Sequence, residues 1–166
     1  MVEVMAITPV SAKAQNKLSS IYMTDAALTR GQLERTLAQR LQGMYREKVG
    51  KPPKKIMCQF FDKRLAIVLE EVATPSEQFL IENDQDDVAK AFRSNLDEAL
   101  RPQLIALIEE VVATHVEALM FDTDLETGFS GVTVVLSDYP PVRDLETIPK
   151  TRRNRSEDPQ SESDSP

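Results

Sequence analysis

The sequence holds one cysteine, one histidine and no tryptophan in 166 residues, and each shortage closes a class of chemistry. Cys58 alone leaves no internal disulfide, and His115 is the only imidazole, so the usual sulfur and nitrogen ligand sets of structural zinc are missing. Cys58 lies in the apolar run Ile56 to Phe61, the setting of a small core residue rather than of a nucleophile. Long hydrophobic runs are also missing. A bilayer span needs roughly 18 or more apolar residues, whereas the longest candidate, Leu104 to Val112, is broken by Glu109 and Glu110. The N-terminal residues Met1 to Pro9 have no basic start, apolar block or small-residue cleavage site, so we expect no secretory signal and a cytoplasmic location. Positive charge is in deficit, with 20 Lys and Arg against 27 Asp and Glu and a formal net charge of −7. That balance disfavours bulk attraction to nucleic acid phosphates.

What is present suffices for one core, since 41% of the residues are hydrophobic. Residues 1–27 show no sustained apolar period and are expected to form a partly ordered N-terminal extension. Thr29 is a candidate N-cap for a helix whose apolar residues Leu33, Leu37, Leu41, Met44 and Tyr45 recur at helical spacing, and Gly50, Pro52 and Pro53 stop it. Ile56 to Phe61 and Leu65 to Val72 read as strands joined by a turn at Asp62-Lys63-Arg64. Thr74, Pro75 and Glu77 form a capping-box pattern for a short second helix.

A third helix follows from Asp86, with Val88, Phe92, Leu96, Ala99 and Leu100 on its apolar face and Asp86 and Asp87 at the positive end of its dipole. Pro102 predicts a kink or restart before Leu104 to Val112. Val116 to Phe121 and Val132 to Leu136 read as a second hairpin with a ten-residue loop, 122–131. Past residue 139 the composition becomes charged and Ser-rich, so 140–166 is expected to be a disordered tail.

The expected fold class is α+β, in the order α-β-β-α-α-β-β over residues 28–139. Two hairpins share one four-stranded antiparallel sheet with the helices on one face, a two-layer sandwich that buries both apolar surfaces. In the first strand both faces are partly apolar, Ile56, Cys58 and Phe60 on one and Met57, Gln59 and Phe61 on the other. A homodimer is therefore expected.

Ordered short motifs then carry a likeness. Val49-Gly50-Lys51-Pro52-Pro53-Lys54, Asp62, Ala73-Thr74-Pro75-Ser76-Glu77, Arg93, Leu100-Arg101-Pro102, Asp122 and Glu126-Thr127-Gly128, within Arg46 to Asp138, resemble the small bacterial proteins of the MpsC-like family. The resemblance implies an association with a membrane sodium-translocating, potential-generating system and transfers no catalytic residue and no cofactor. The chain departs from the family pattern at Pro52 and at Glu71, where glycine is usual.

No catalytic constellation stands out. The basic loop Gly50, Lys51, Lys54 and Lys55, with Arg93, is the candidate ligand site, for an anion or small molecule, although it lacks the glycine spacing and following helix of a phosphate loop. Arg93 is also placed to pair with Glu77 or with Asp97 at i+4. Asp122, Asp124 and Glu126 lack the calcium-loop glycine and terminal glutamate, and His115 has no Ser or Cys partner in the pattern. These features predict a non-enzymatic accessory or regulatory protein acting through protein contacts, with a protein partner that is membrane-associated. An anion-binding sensor domain is the alternative. RNA binding ranks third, for want of an aromatic platform.

Overall fold

The structure is a computed structural model, and it describes residues 27–150. Nearly all of the expected N-terminal extension, and residues 151–166 with Arg152, Arg153 and Arg155, lie outside the described residues. Helix α1 spans Arg30–Lys48, strand β1 Lys55–Phe61, β2 Arg64–Glu70, α2 Pro75–Glu82, α3 Asp86–Val112, β3 Val116–Asp124 and β4 Phe129–Leu136, followed by a single 3-10 turn, Leu145–Thr147. The order is the expected α-β-β-α-α-β-β. Among the described residues no helix is long and apolar enough to cross a membrane.

Local chemistry sets the ends of α1. Gln32 N donates to the Thr29 hydroxyl at 3.2 Å and Thr29 N donates back to Gln32 Oε1 at 2.9 Å, which satisfies two amides that a helix start leaves free. At the other end Gly50 takes φ of +81°, a left-handed turn that suits a residue without Cβ. Leu33, Leu37, Leu41, Met44 and Tyr45 form the buried stripe.

The sheet runs β1-β2-β4-β3, with every pair antiparallel. The two hairpins thus join through their second strands. Register puts Ile56, Cys58 and Phe60 opposite Leu69, Ile67 and Leu65, and these opposite Ser130, Val132 and Val134, so one face carries an apolar block. That block packs with α1 and with Leu100, Leu104, Ile108 and Val112 of α3 in a single core. Cys58 is half-buried there, and burial, helped by the Glu34 carboxylate, pushes its thiol up to about 12.

Four expectations are corrected. Helix α3 runs through Pro102 without a restart; the proline is exposed, so the carbonyl it cannot bond lies on the wet side of the helix. The first half of α3 buries Ala89, Arg93 and Asp97, while Val88 and Phe92 are exposed. The second hairpin loop shrinks to 125–128, because the Asp124 carboxylate accepts from Glu126 N and from the Thr127 hydroxyl, both at 2.9 Å, and folds the chain back at once.

The domain also extends past residue 139. Ile148 is buried in the main core, Arg30 N donates to Asp144 Oδ1 at 2.7 Å, and Asp62 N donates to Pro149 O at 2.7 Å. Ile148, with Val142 packed against the same core, and hydrogen bonds that also include Arg30 Nη1 to Thr147 O and Arg143 N to Leu28 O hold a segment whose average composition is polar. Ile148→Ala should lower stability by about 2 to 5 kcal/mol in urea denaturation. Glu146→Ala, on the same segment but exposed, should stay within about 0.5 kcal/mol of the parent.

Candidate functional site

The basic loop meets its partners inside the chain. Lys51 Nζ donates to Ala73 O at 2.6 Å, and Arg93 Nη2 donates to Val72 O at 3.1 Å. These two candidate ligand residues do converge, and what they converge on is the connector between β2 and α2. Lys54 pairs with Glu71 and Lys55 with Glu70 on the surface. Gly50 lines the same side as Lys51, in an open hollow of about 480 Å³ that also touches Thr74, Ser76 and Phe92. Pro52 and Pro53 have no amide to offer an anion there.

Glu71 has φ of +55°, a conformation that favours glycine over a residue with Cβ. Its backbone lies 3.8 Å from where a Cβ on Gly128 would stand, and Val72 N donates to Gly128 O at 3.1 Å. Both hairpins are therefore pinned to the connector that Lys51 and Arg93 hold.

Arg93 belongs to a buried charge cluster. Glu77, Arg93 and Asp97 are 0%, 2% and 7% exposed. Glu77 is the third residue of α2, so its capping box turns the carboxylate inward. Glu77 Oε2 accepts from Thr74 N and the Thr74 hydroxyl at 2.7 Å each and from Arg93 Nη2 at 2.6 Å. Asp97, one turn along α3, has Oδ1 3.5 Å from Arg93 Nη1. The arginine thus takes both of its expected partners. Burial raises the Asp97 carboxyl above its ordinary range, against the Thr123 hydroxyl and Arg93, which lower it. Burial, reinforced by Asp97, likewise drives the Tyr45 phenol upward.

Among the described residues, the buried side-chain polar atoms that make no hydrogen bond are Tyr45 Oη, Glu77 Oε1, Arg93 Nε and Nη1, and Asp97 Oδ1, of which Nη1 and Oδ1 face each other as an ion pair. All five belong to this one cluster or its immediate neighbour. On its outer side, between α3 and β3, lies a hollow of about 240 Å³ lined by Lys90, Arg93, Ser94, Asp97, Arg101 and Thr123, among others. Arg101 Nη1 donates to Leu119 O at 2.7 Å and so ties the helix to the strand at the end of that hollow.

Sequence reasoning weighed Arg93 against each acid singly and did not single out Ser94 or Thr123. The signal was the stripe itself. Continued backward from Ile108, Leu104 and Leu100 by three or four residues, it passes through Asp97, Arg93 and Ala89 and places a charged pair in the core. Elsewhere, His115 Nδ1 lies 2.6 Å from Glu109 Oε1 in an exposed contact. Among the described residues no group of three or more His, Cys, Asp or Glu is placed to hold a metal ion.

Residues 29–138 match the family model described as the Na+-translocating membrane potential-generating system (MpsC). No curated protein and no solved structure matches the chain. The matched span begins at the Thr29 cap and ends just after β4, so it contains the whole sheet, the three helices and the buried cluster.

Removing one member of a buried pair strands the other charge without water, which typically costs about 3 to 5 kcal/mol. Arg93→Ala should therefore destabilise by that amount in chemical denaturation. Lys54→Ala breaks only a solvent-exposed pair and should cost under about 1 kcal/mol.

Proposed function

Since the chain belongs to the MpsC family, we propose that it is a non-enzymatic accessory or regulatory protein that acts through protein contacts. Its setting is the membrane ion-translocating system that the family description names. We further infer that its working unit is a pair of chains joined through the open face of the sheet.

That open face carries the reading. Among the described residues the helices pack on the opposite side, which leaves Met57, Met120 and Phe129 at 43%, 55% and 47% exposed. Half-buried Phe61, Val68 and Val135 share the face with them. The paired rows run Lys55, Glu70, Phe129, Asp124; then Met57, Val68, Gly131, Asp122; then Gln59, Ala66, Thr133, Met120. Lys55 and Arg64 thus lie on β1 and β2, with Glu70 paired to Lys55, and Asp122 and Asp124 lie at the β3 edge.

A second copy turned by a half-rotation about an axis along the strands sets β1 over β3. Lys55 then faces Asp124, Met57 faces Asp122, Gln59 faces Met120 and Phe61 faces Ala118, while Val68 and Ala66 face Gly131 and Thr133 in an uncharged middle between Glu70 and Arg64. Sheets packed face to face keep their strands within about 30° of each other, which preserves this correspondence, and methionine adapts to imperfect fit. With strands about 4.8 Å apart and a rise of about 3.3 Å per residue, the face measures roughly 19 by 23 Å. That is roughly 440 Å² per copy, below the size of stable specific interfaces and in the range of weak, transient pairing.

The chain's own chemistry supports a role in contacts. Lys51 and Arg93 hold backbone carbonyls, Lys54 and Lys55 pair with acids, and burial keeps the Cys58 thiol protonated. Sedimentation velocity tests the pairing. The parent chain should approach dimer mass at about 100 µM, and Met57→Lys or Lys55→Glu should return it to monomer while Arg35→Glu, on an exposed position of α1, does not. A parent that stays monomeric throughout, or a dimer indifferent to Met57→Lys, contradicts the reading.

A further inference from the structure

We propose that the outer groove between α2 and α3 docks a basic amphipathic helix of a partner protein. The inference rests on the reading of the chain as one that acts through protein contacts, and it does not depend on pairing through the sheet.

The groove is apolar where the core does not require it to be. Phe79, Val88 and Phe92 are 65%, 51% and 48% exposed, on the helical layer and away from the open face of the sheet. Val88, Phe92 and half-buried Leu96 follow one another at intervals of four along α3 and make one ridge. Across from them, Pro75 and Ser76 of α2 share the open hollow of about 480 Å³ with Phe92 and Leu96, and Val49 closes its end. Phe79 stands one turn beyond Pro75 and Val88 one turn before Phe92, so the apolar surface continues from the hollow toward the turn between the two helices. Single exposed hydrophobic residues are ordinary, whereas a contiguous set rimmed by charge marks an interaction site.

The backbone restricts the shape of the occupant. Helices α2 and α3 bond their own amides and carbonyls, so this surface offers no strand edge for an extended peptide to pair with. A helix arrives with its backbone already satisfied and lays side chains at i, i+4 and i+7 against a ridge of the same period. Val88 to Leu96 spans about 12 Å at a rise of about 1.5 Å per residue, close to the reach of three such side chains.

Charge selects among helices. Glu82, Asp84, Asp86 and Asp87 surround the turn at one end of the groove and are all exposed. Among the described residues none of them has a cation within ion-pair distance. Lys90, the nearest cation along α3, pairs with Glu126 instead. The other end holds Lys48 and Lys51, but Lys48 lies 2.8 Å from Glu47 and Lys51 donates to Ala73 O. Among the described residues that border the groove, the unpaired charge is therefore negative. It favours an occupant with lysine or arginine at the end that meets the turn. A second copy is a poorer match, because the cations at the edge of its own groove are those same two engaged lysines.

Fluorescence anisotropy on the full chain tests the site. The probe is a fluorescein-labelled peptide of leucine and lysine only, with its leucines at the i, i+3, i+4, i+7 spacing of an amphipathic helix. It should bind saturably, and Phe79→Gln with Phe92→Gln should weaken it about tenfold or more. Both positions are exposed, so the fold is kept, which circular dichroism checks, and the net charge is unchanged. Glu82→Gln with Asp84→Asn should weaken binding less and flatten its salt dependence. Met57→Lys, which should break the sheet-face pairing, should leave the titration unchanged, so the two readings fail separately.

Equal binding by a peptide of the same composition in scrambled order would reduce the attraction to net charge, and equal binding by the leucine and glutamate analogue would remove the charge selection. A synthetic peptide of residues 4–24, which carry Lys13 and Lys17 and no acid, would, if it bound more tightly than the probe, make the occupant the chain's own segment. Self-association lost in Phe92→Gln and kept in Met57→Lys would make it a second copy. Any of these overturns the proposal, as does a probe that fails to bind or that binds the glutamine variant as well as the parent.

Discussion

Arg93 and Glu77 meet in the interior with no water to share their charge, and the packing of the domain is arranged around that contact. One end of the pair is the inward-turned capping residue of α2, the other is on the core-facing stripe of α3, and the same guanidinium holds the carbonyl of Val72 at the end of β2. Three elements are thereby fixed to one side chain. The pair also explains why α3 leaves Val88 and Phe92 exposed. A helix presents one stripe to its core, and once Arg93 and Asp97 occupy it, the neighbouring apolar residues must face outward.

Hydrophobic packing then accounts for the rest. The second half of α3 and all of α1 lay leucine, isoleucine and tyrosine onto the inner face of the sheet, and Ile148 closes one edge. The two hairpins meet through β2 and β4 in a register fixed by Leu65 opposite Val134 and Ile67 opposite Val132; a slip by one residue would turn every one of these outward. The charged end and the apolar end of α3 thus do different work. One fixes the β2–α2 connector and borders the hollow, and the other carries the core.

Much of this was legible in the sequence, and the reasons differ by element. The Thr74 and Glu77 capping box was readable because it carries its mechanism in four residues, whereas at Thr29 the cap was read but its return partner Gln32 was not. A single four-stranded antiparallel sheet followed from the need of two marginal hairpins to pair, while which strands adjoin did not. The inward face of the first half of α3 was misread because apolar residues at helical spacing outweighed charged ones, and only the partner Glu77, sixteen positions away, makes Arg93 a core residue. The loop at 122–131 was read too long because Phe129, Ser130 and Gly131 look like turn chemistry, while Asp124 alone closes the turn. The segment after 139 was read as tail because one isoleucine does not show in an average. For the candidate site, charge gave the right residues for the wrong partner: Lys51 and Arg93 do come together, on the backbone of Val72 and Ala73.

The buried pair is tested most directly by a double-mutant cycle in chemical denaturation, using Arg93→Met, Glu77→Gln and the two together. If the contact organises the domain, each single change strands a charge that the double change relieves, and the cycle should show a coupling of about 2 to 3 kcal/mol. Effects that add to within about 0.5 kcal/mol would mean that the two side chains act independently, and would contradict the account.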